Sequence, residues 1–131
     1  MFVDASAWTA ILLGEPEADA FRLKLAEAGV VVTSAIATWE TVRAVERETA
    51  LDVRQAAEEV RALQKSAGAV VVPIEEAEQI LAVDAHARFG KGVHPAKLNM
   101  GDCFAYACAK TNGVPLLYKG DDFSQTDIEA A

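Results

Sequence analysis

The chain has 131 residues, 52% of them hydrophobic, which suits one compact domain with its own core spanning 1–131. Against 12 basic residues stand 20 acidic ones, and the formal charge of −8 excludes nucleic-acid binding driven by net charge alone. No uninterrupted apolar run reaches about 18 residues, and "MFVDASAW" lacks the basic region and long apolar stretch of a signal peptide, so a cytoplasmic protein without a membrane segment is expected.

In chain order, "MFV" at the N-terminus predicts a first buried strand, with Asp4 at its end and Ser6 placed to cap the helix that follows. "VVVT" at 30–33 predicts a second strand. Ser34 then caps a helix from Ala35 in which Ile36, Trp39, Val42 and Val45 recur every third residue, with Glu40 about one and a half turns in. A second helix, "DVRQAAEEVRALQKS", puts Val53, Ala57, Val60 and Leu63, with Ala56, on one face. "AVVVPI" at 69–74 predicts a third strand. From His86 to Met100 the stretch "HARFGKGVHPAKLNM" has no acid, while Arg88, Lys91 and Lys97 carry fixed positive charge and His86 and His94 can titrate, so a basic loop is expected on an acidic protein. Asn99 caps a small-residue helix containing "GDCFAYACAK", with Asp102 in its first turn and its end before Asn112-Gly113. Cys103 and Cys108 match no C-x-x-C or zinc spacing and are expected as buried thiols. "PLLY" at 115–118 predicts the last strand, followed by Lys119, Gly120, Asp121 and Asp122.

Strands alternating with helices predict an α/β/α sandwich around a mainly parallel sheet, in which function gathers beyond the carboxyl ends of the strands. Asp4, Asp102, Asp121 and Asp122 fall at such ends, with Glu40 on the helix after the second strand. Each has a local explanation. Asp4 can cap a helix, Asp102 complements a helix dipole, Glu40 can pair with Arg43, and Asp121-Asp122 can form a turn. Together the carboxylates repel one another, and such a cluster either takes up protons or binds a cation. A hard divalent ion with oxygen ligands, Mg2+ or Mn2+, suits the set and offers the chemistry of metal-dependent phosphodiester hydrolysis.

The ordered motifs "MFVDASAW", "TSAIATWET", "LNMGDCFAYACAK" and "PLLYKGDDFSQTDI" resemble the PIN-domain ribonucleases, specifically the VapC toxins of VapBC toxin–antitoxin modules, over residues 1 to about 128. The resemblance implies a PIN-like α/β/α fold and an endoribonuclease that depends on Mg2+ or Mn2+ and cuts structured cellular RNA such as tRNA or rRNA. It also implies a VapB-like antitoxin, met by the hydrophobic helices from Ile36 to Leu63, and a homodimer. By position, Asp4 and Asp102 match the principal metal ligands, Glu40 the third acid and Asp122 the fourth. Asp121 is then an outer neighbour, Ser6 orients Asp4, and Thr126 and Asp127 match a terminal "TD" of unassigned role. Hydrolysis by metal-activated water is expected to leave 5′-phosphate and 3′-hydroxyl ends. The basic loop, with Arg88, Lys91 and Lys97, is expected either to hold the RNA backbone or to be simply solvated.

Three rival classes compete. A receiver-type phosphoacceptor domain needs an aspartate where "AVVVPIEEAE" has Pro73 and Ile74, and a haloacid-dehalogenase-like phosphatase needs D-x-D where "DAS" has serine. A catalytically silent partner-binding PIN-like module is distinguished by failing to bind a divalent metal.

Overall fold

The computed structural model describes residues 1–131. The chain runs β1 (Phe2–Val3), α1 (Ala5–Leu13), α2 (Ala18–Glu27), β2 (Val32–Ser34), α3 (Ala35–Glu48), α4 (Val53–Ser66), β3 (Val70–Val72), α5 (Glu76–Phe89), α6 (Met100–Thr111) and β4 (Leu116–Leu117), then a 3-10 turn at Phe123–Gln125. Each strand falls on one of the apolar runs picked out above, with β2 extending one residue past its run to Ser34. All strand pairs are parallel, in the order β3-β2-β1-β4. The chain therefore steps outward from β1 to β3 and then crosses back to β4 on the other side of β1. Beside β1 the strand order reverses, which is where an open α/β sheet forms a crevice at its carboxyl edge.

Alternation along the two central strands builds the layers. Phe2 and Leu116 pack into a cluster with α5 and α6, whereas their neighbours Val3 and Leu117 pack against Trp8 and Ile11 of α1 and Phe21 and Leu25 of α2. Side chains of one strand thus feed two cores, and helices must cover both faces. Truncating a fully buried member such as Phe2 to Ala would cost about 3–5 kcal/mol. On the α6 side, buried Gly101, Ala105, Ala107 and Ala109 keep the helix slim enough to lie close against the sheet, with Cys103 and Cys108 free and buried as expected.

Several local expectations need correction. Asp4, not Ser6, is the N-cap of α1, and Ser6 sits one position inside the helix. The first crossover holds two helices, because the chain leaves α1 through Gly14 at φ +65° and Pro16 follows before α2 starts. In α3 the every-third-residue stripe does not stay on one face, since three residues advance only about 300° around a helix of 3.6 residues per turn. The buried positions are instead Ala37, Thr41, Val42 and Val45, and Trp39 is 63% exposed. Val53 likewise turns outward at the start of α4, where Ala56, Val60 and Gln64 are buried. The basic stretch is not wholly a loop, because His86 to Phe89 form the last turn of α5.

Candidate active site

A cleft of about 600 Å³ opens at the carboxyl edge of the sheet, and Asp4, Ser6, Glu40, Asn99 and Asp102 line it. Asp4 leaves β1 directly into the cap of α1 and is 4% exposed. Its Oδ2 accepts from the Ser6 backbone N–H at 2.9 Å and from the Ser6 hydroxyl at 2.6 Å. The same hydroxyl oxygen accepts from the Lys119 backbone N–H at 3.0 Å. Ser6 therefore ties the end of β1 to the end of β4 and holds Asp4 between them. Burial pushes the Asp4 carboxyl above its ordinary value, although the bonds from Ser6 oppose this.

Glu40 enters from α3 and lays its carboxylate against the first turn of α6. Burial first, then the charges of Asp4 and Asp102, push its pKa up to about 7. Asp102 stands at the third position of α6 in a reciprocal capping box: its backbone N–H donates to Asn99 Oδ1 at 3.0 Å, and its Oδ2 accepts from the Asn99 N–H at 2.8 Å. Burial raises Asp102 to about 6; the Asn99 bond opposes that rise, and the charges of Asp4 and Asp122 add to it. The local explanation of Asp102 as a helix-start residue is thus also true, and it leaves the carboxylate facing its acidic neighbours. Glu40 does not pair with Arg43, whose guanidinium pairs with Glu46 instead.

The fold brings together three of the expected acids, Asp4, Glu40 and Asp102. Asp121 and Asp122 are exposed on the turn after Gly120, and only the charge of Asp122 is felt at Asp102. No three of these side chains stand pre-arranged around one point as metal ligands. What they share is unneutralised, mutually repelling oxygen donors in a partly buried cleft, a donor set that fits a hard divalent cation and not a thiol- or imidazole-preferring one.

The residues Arg88, Lys91 and Lys97 do not line this cleft. Arg88 is held by Asp84 at 3.3 Å and by Asp127 at 3.0 Å, a position set by packing of the C-terminal segment. Lys91 and Lys97 are exposed on a loop that ends at Asn99, with the Lys91 N–H bonded to the Leu98 carbonyl. The cations that do line the cleft are Arg43, Arg47 and Lys119, the last paired with Glu15 and Glu17. Their local signal is spacing: Arg43 and Arg47 follow Glu40 at three and seven residues, one stripe of α3. Gly101 was also unanticipated. A Cβ there would meet the Glu40 carboxylate, and the only sequence hint is a glycine in a first turn where alanine is favoured.

Thr126 and Asp127 have structural work. The Thr126 hydroxyl donates to the Phe123 carbonyl at 2.7 Å. Asp127 accepts from the Tyr106 hydroxyl at 2.8 Å and pairs with Arg88, fastening the chain after the 3-10 turn to α5 and α6. Partial burial alone would raise its carboxyl, but the bonds from Tyr106 and Arg88 prevail and hold it below its ordinary value. No helix is long and apolar enough to cross a membrane.

The PIN domain family model matches residues 1–129. A VapC ribonuclease of Rhizobium meliloti is 40% identical over 97% of this chain and 98% of its own length. Ribonuclease VapC28 of Mycobacterium tuberculosis is 40% identical over 100% of this chain and 97% of its own. Ribonuclease VapC of Mycolicibacterium smegmatis is 36% identical over 99% and 98%. Among solved structures, the crystal structure of Mycobacterium tuberculosis VapC20, described as a sarcin-ricin loop cleaving toxin, superposes with a TM-score of 0.78. It covers 99% of this chain and 97% of that one at 22% identity, a likeness of fold.

Proposed function

This chain belongs to the PIN-domain family and its VapC ribonucleases, and on that premise we propose that it is a toxin-type endoribonuclease dependent on Mg2+ or Mn2+. The observation that carries the reading is the convergence of Asp4, Glu40 and Asp102 on one cleft at the strand-order reversal, where burial raises all three carboxyls and the charges of Asp4 and Asp102 raise Glu40 further. Such a cluster of partly buried acids is unfavourable for folding alone and suits cation binding.

In this reading Asp4 and Asp102 hold the cation, with Glu40 beside them. A bound divalent ion supplies a lowered pKa for its water and charge stabilisation at the phosphate. Ser6 fixes the direction of Asp4 through the two bonds to Oδ2. The Glu40 carboxylate, raised to about 7, accepts the proton of the attacking water. Asp122 adds negative charge at the rim, with Asp121 farther out. Attack on an RNA backbone phosphate leaves 5′-phosphate and 3′-hydroxyl ends. Structured cellular RNA, such as tRNA or rRNA, is the proposed substrate class.

A VapB-like antitoxin is the proposed inhibitor. A groove of about 520 Å³ between α2 and α4, lined by Leu25, Ala28, Leu63 and Ala67 together with Arg22 and Ser66, supports a place for one of its segments. A homodimer in the cytoplasm completes the proposal, and sedimentation of the purified chain reads its oligomeric state.

The test is cleavage of total cellular RNA by antitoxin-free protein with Mg2+, with Mn2+ and with EDTA, comparing wild type with Asp102→Asn. Metal-dependent cleavage that the variant loses supports the nuclease. A wild type that neither cuts RNA nor binds the metal sinks it and leaves a partner-binding module. Products ending in 2′,3′-cyclic phosphates without metal would reject the hydrolytic route.

A further inference from the structure

We propose that α3 carries a track for single-stranded RNA, in which Trp39 stacks an unpaired base beside the carboxylate cleft and Arg43 and Arg47 hold the adjoining phosphates. The inference rests on the nuclease reading and adds to it the side chains that hold the strand beside the cut.

Trp39, Arg43 and Arg47 are spaced four residues apart, so they share one face of α3 in steps of about 6 Å. That step is comparable with the separation of successive phosphates in an extended strand. All three line the cleft that holds Asp4, Glu40 and Asp102. The two tryptophans of the chain differ sharply. Trp8 is 0% exposed and its indole N–H donates to Thr33 Oγ1 at 3.2 Å, whereas Trp39 is 63% exposed and packs in none of the core clusters. A large aromatic face open beside a polar cleft does nothing for the core.

The arginines are not there to neutralise the acids. Arg43 pairs with Glu46, and Arg47 is exposed and makes no ion pair. On a chain of charge −8, two cations placed beside a cluster of carboxylates fit an anionic polymer brought to that cluster. An aromatic face interleaved with cations is the arrangement that binds single strands, because a base can stack on a side chain only when its own face is free. Charge complementarity therefore favours RNA over a protein segment as the occupant of Trp39.

The experiment is a fluorescence titration of the full chain in EDTA, where RNA stays intact, with a short mixed-sequence single-stranded RNA and with its blunt duplex. Buried Trp8 supplies a constant background. The expected result is quenching by the single strand and little by the duplex, with the signal absent in Trp39→Phe although binding by filter retention is largely kept. Trp39→Ala should weaken retention roughly 5- to 150-fold. Arg47→Ala should reduce the slope of log affinity against log salt by about 0.7, the share of one single-strand phosphate. Unquenched Trp39 at saturating RNA, equal quenching by duplex, or equal affinity of Trp39→Ala overturns the track. Emission that changes with protein concentration before RNA is added also overturns it, and assigns Trp39 to a contact between copies. RNA that quenches Trp39 of a chain that neither cuts cellular RNA nor binds Mg2+ supports the track and defeats the nuclease. RNA cut equally well by wild type and Trp39→Ala does the reverse.

Discussion

The carboxylate of Glu40 lies against the backbone of Gly101, so closely that a Cβ on the glycine would stand 2.1 and 2.2 Å from its two oxygens. Glycine here lets two helices meet with a carboxylate between them. Gly101→Ala should fold, because the obstacle is the end of a flexible side chain and alanine is the better helix former by about 1 kcal/mol. The displaced Glu40 then loses its place beside Asp4 and Asp102. We expect thermal stability near or above wild type and RNA cleavage lower by on the order of 100-fold, as for a misplaced catalytic group. Unchanged cleavage in a folded variant would show that the position of Glu40 does not matter.

Asp102→Asn separates chemistry from folding. Its side-chain oxygen can still accept from the Asn99 N–H, and the substitution removes one of the buried charges that raise Glu40. The expected outcome in EDTA is an unchanged or raised melting temperature together with no detectable cleavage in Mg2+. Isothermal titration should show weaker Mg2+ binding. Full metal affinity in the variant would remove Asp102 from the ligand set.

Stability without metal should fall as pH rises. The carboxyls of Glu40 and Asp102, raised in the fold from ordinary values of 4.5 and 3.8 to about 7 and about 6, bind protons more tightly folded than unfolded. Their contribution is fully present below the unfolded values and is lost as pH rises through the folded ones. Melting temperature in EDTA should therefore drop between about pH 5 and pH 8, and Mg2+ should restore more at pH 8 than at pH 5. General self-repulsion of an acidic chain has the same sign, so Glu40→Gln is the control. It should flatten the profile, and a parallel profile would mean that net charge alone is responsible.

The loop lysines offer a charge test of their own. If Lys91 and Lys97 hold RNA phosphates, Lys91→Glu/Lys97→Glu should weaken RNA retention and lower the slope of log affinity against log salt by about 1.4, two single-strand phosphates. An unchanged slope would assign the loop to solvent and leave phosphate binding to the cleft cations.

Asp127 should matter to stability more than to chemistry. Removing it frees the Tyr106 hydroxyl and leaves the Arg88 guanidinium to Asp84, and because the pairs are half exposed the loss is modest. Asp127→Ala should cost about 1 kcal/mol by urea denaturation, with Asp127→Asn closer to wild type because it keeps an acceptor.

Much of the fold was legible because it is written locally. The four strands are short apolar runs, Ser34 and Asn99 cap where capping residues were read, and the small residues of α6 announce a helix close to the sheet. The acids were legible as residues at strand ends and helix starts, positions that an α/β topology turns toward one edge. Side-chain facing was less so. The periodicity places Trp39 and Val53 on apolar faces, whereas both turn outward, because a few residues of pattern do not set the rotation of a helix against neighbours it has not yet met.

What only the tertiary structure decided are the contacts across long stretches of chain. Ser6 bonds to Lys119 across 113 residues, Arg88 pairs with Asp127 across 39, and Glu40 rests on Gly101. By itself the sequence determined periodicity, caps and the order of elements, since each depends on neighbours within a turn or two. Which acids meet, which cations are committed to structure and which stand free in the cleft depend on helix rotation and on β4 crossing back beside β1, and those are set by packing of the whole core.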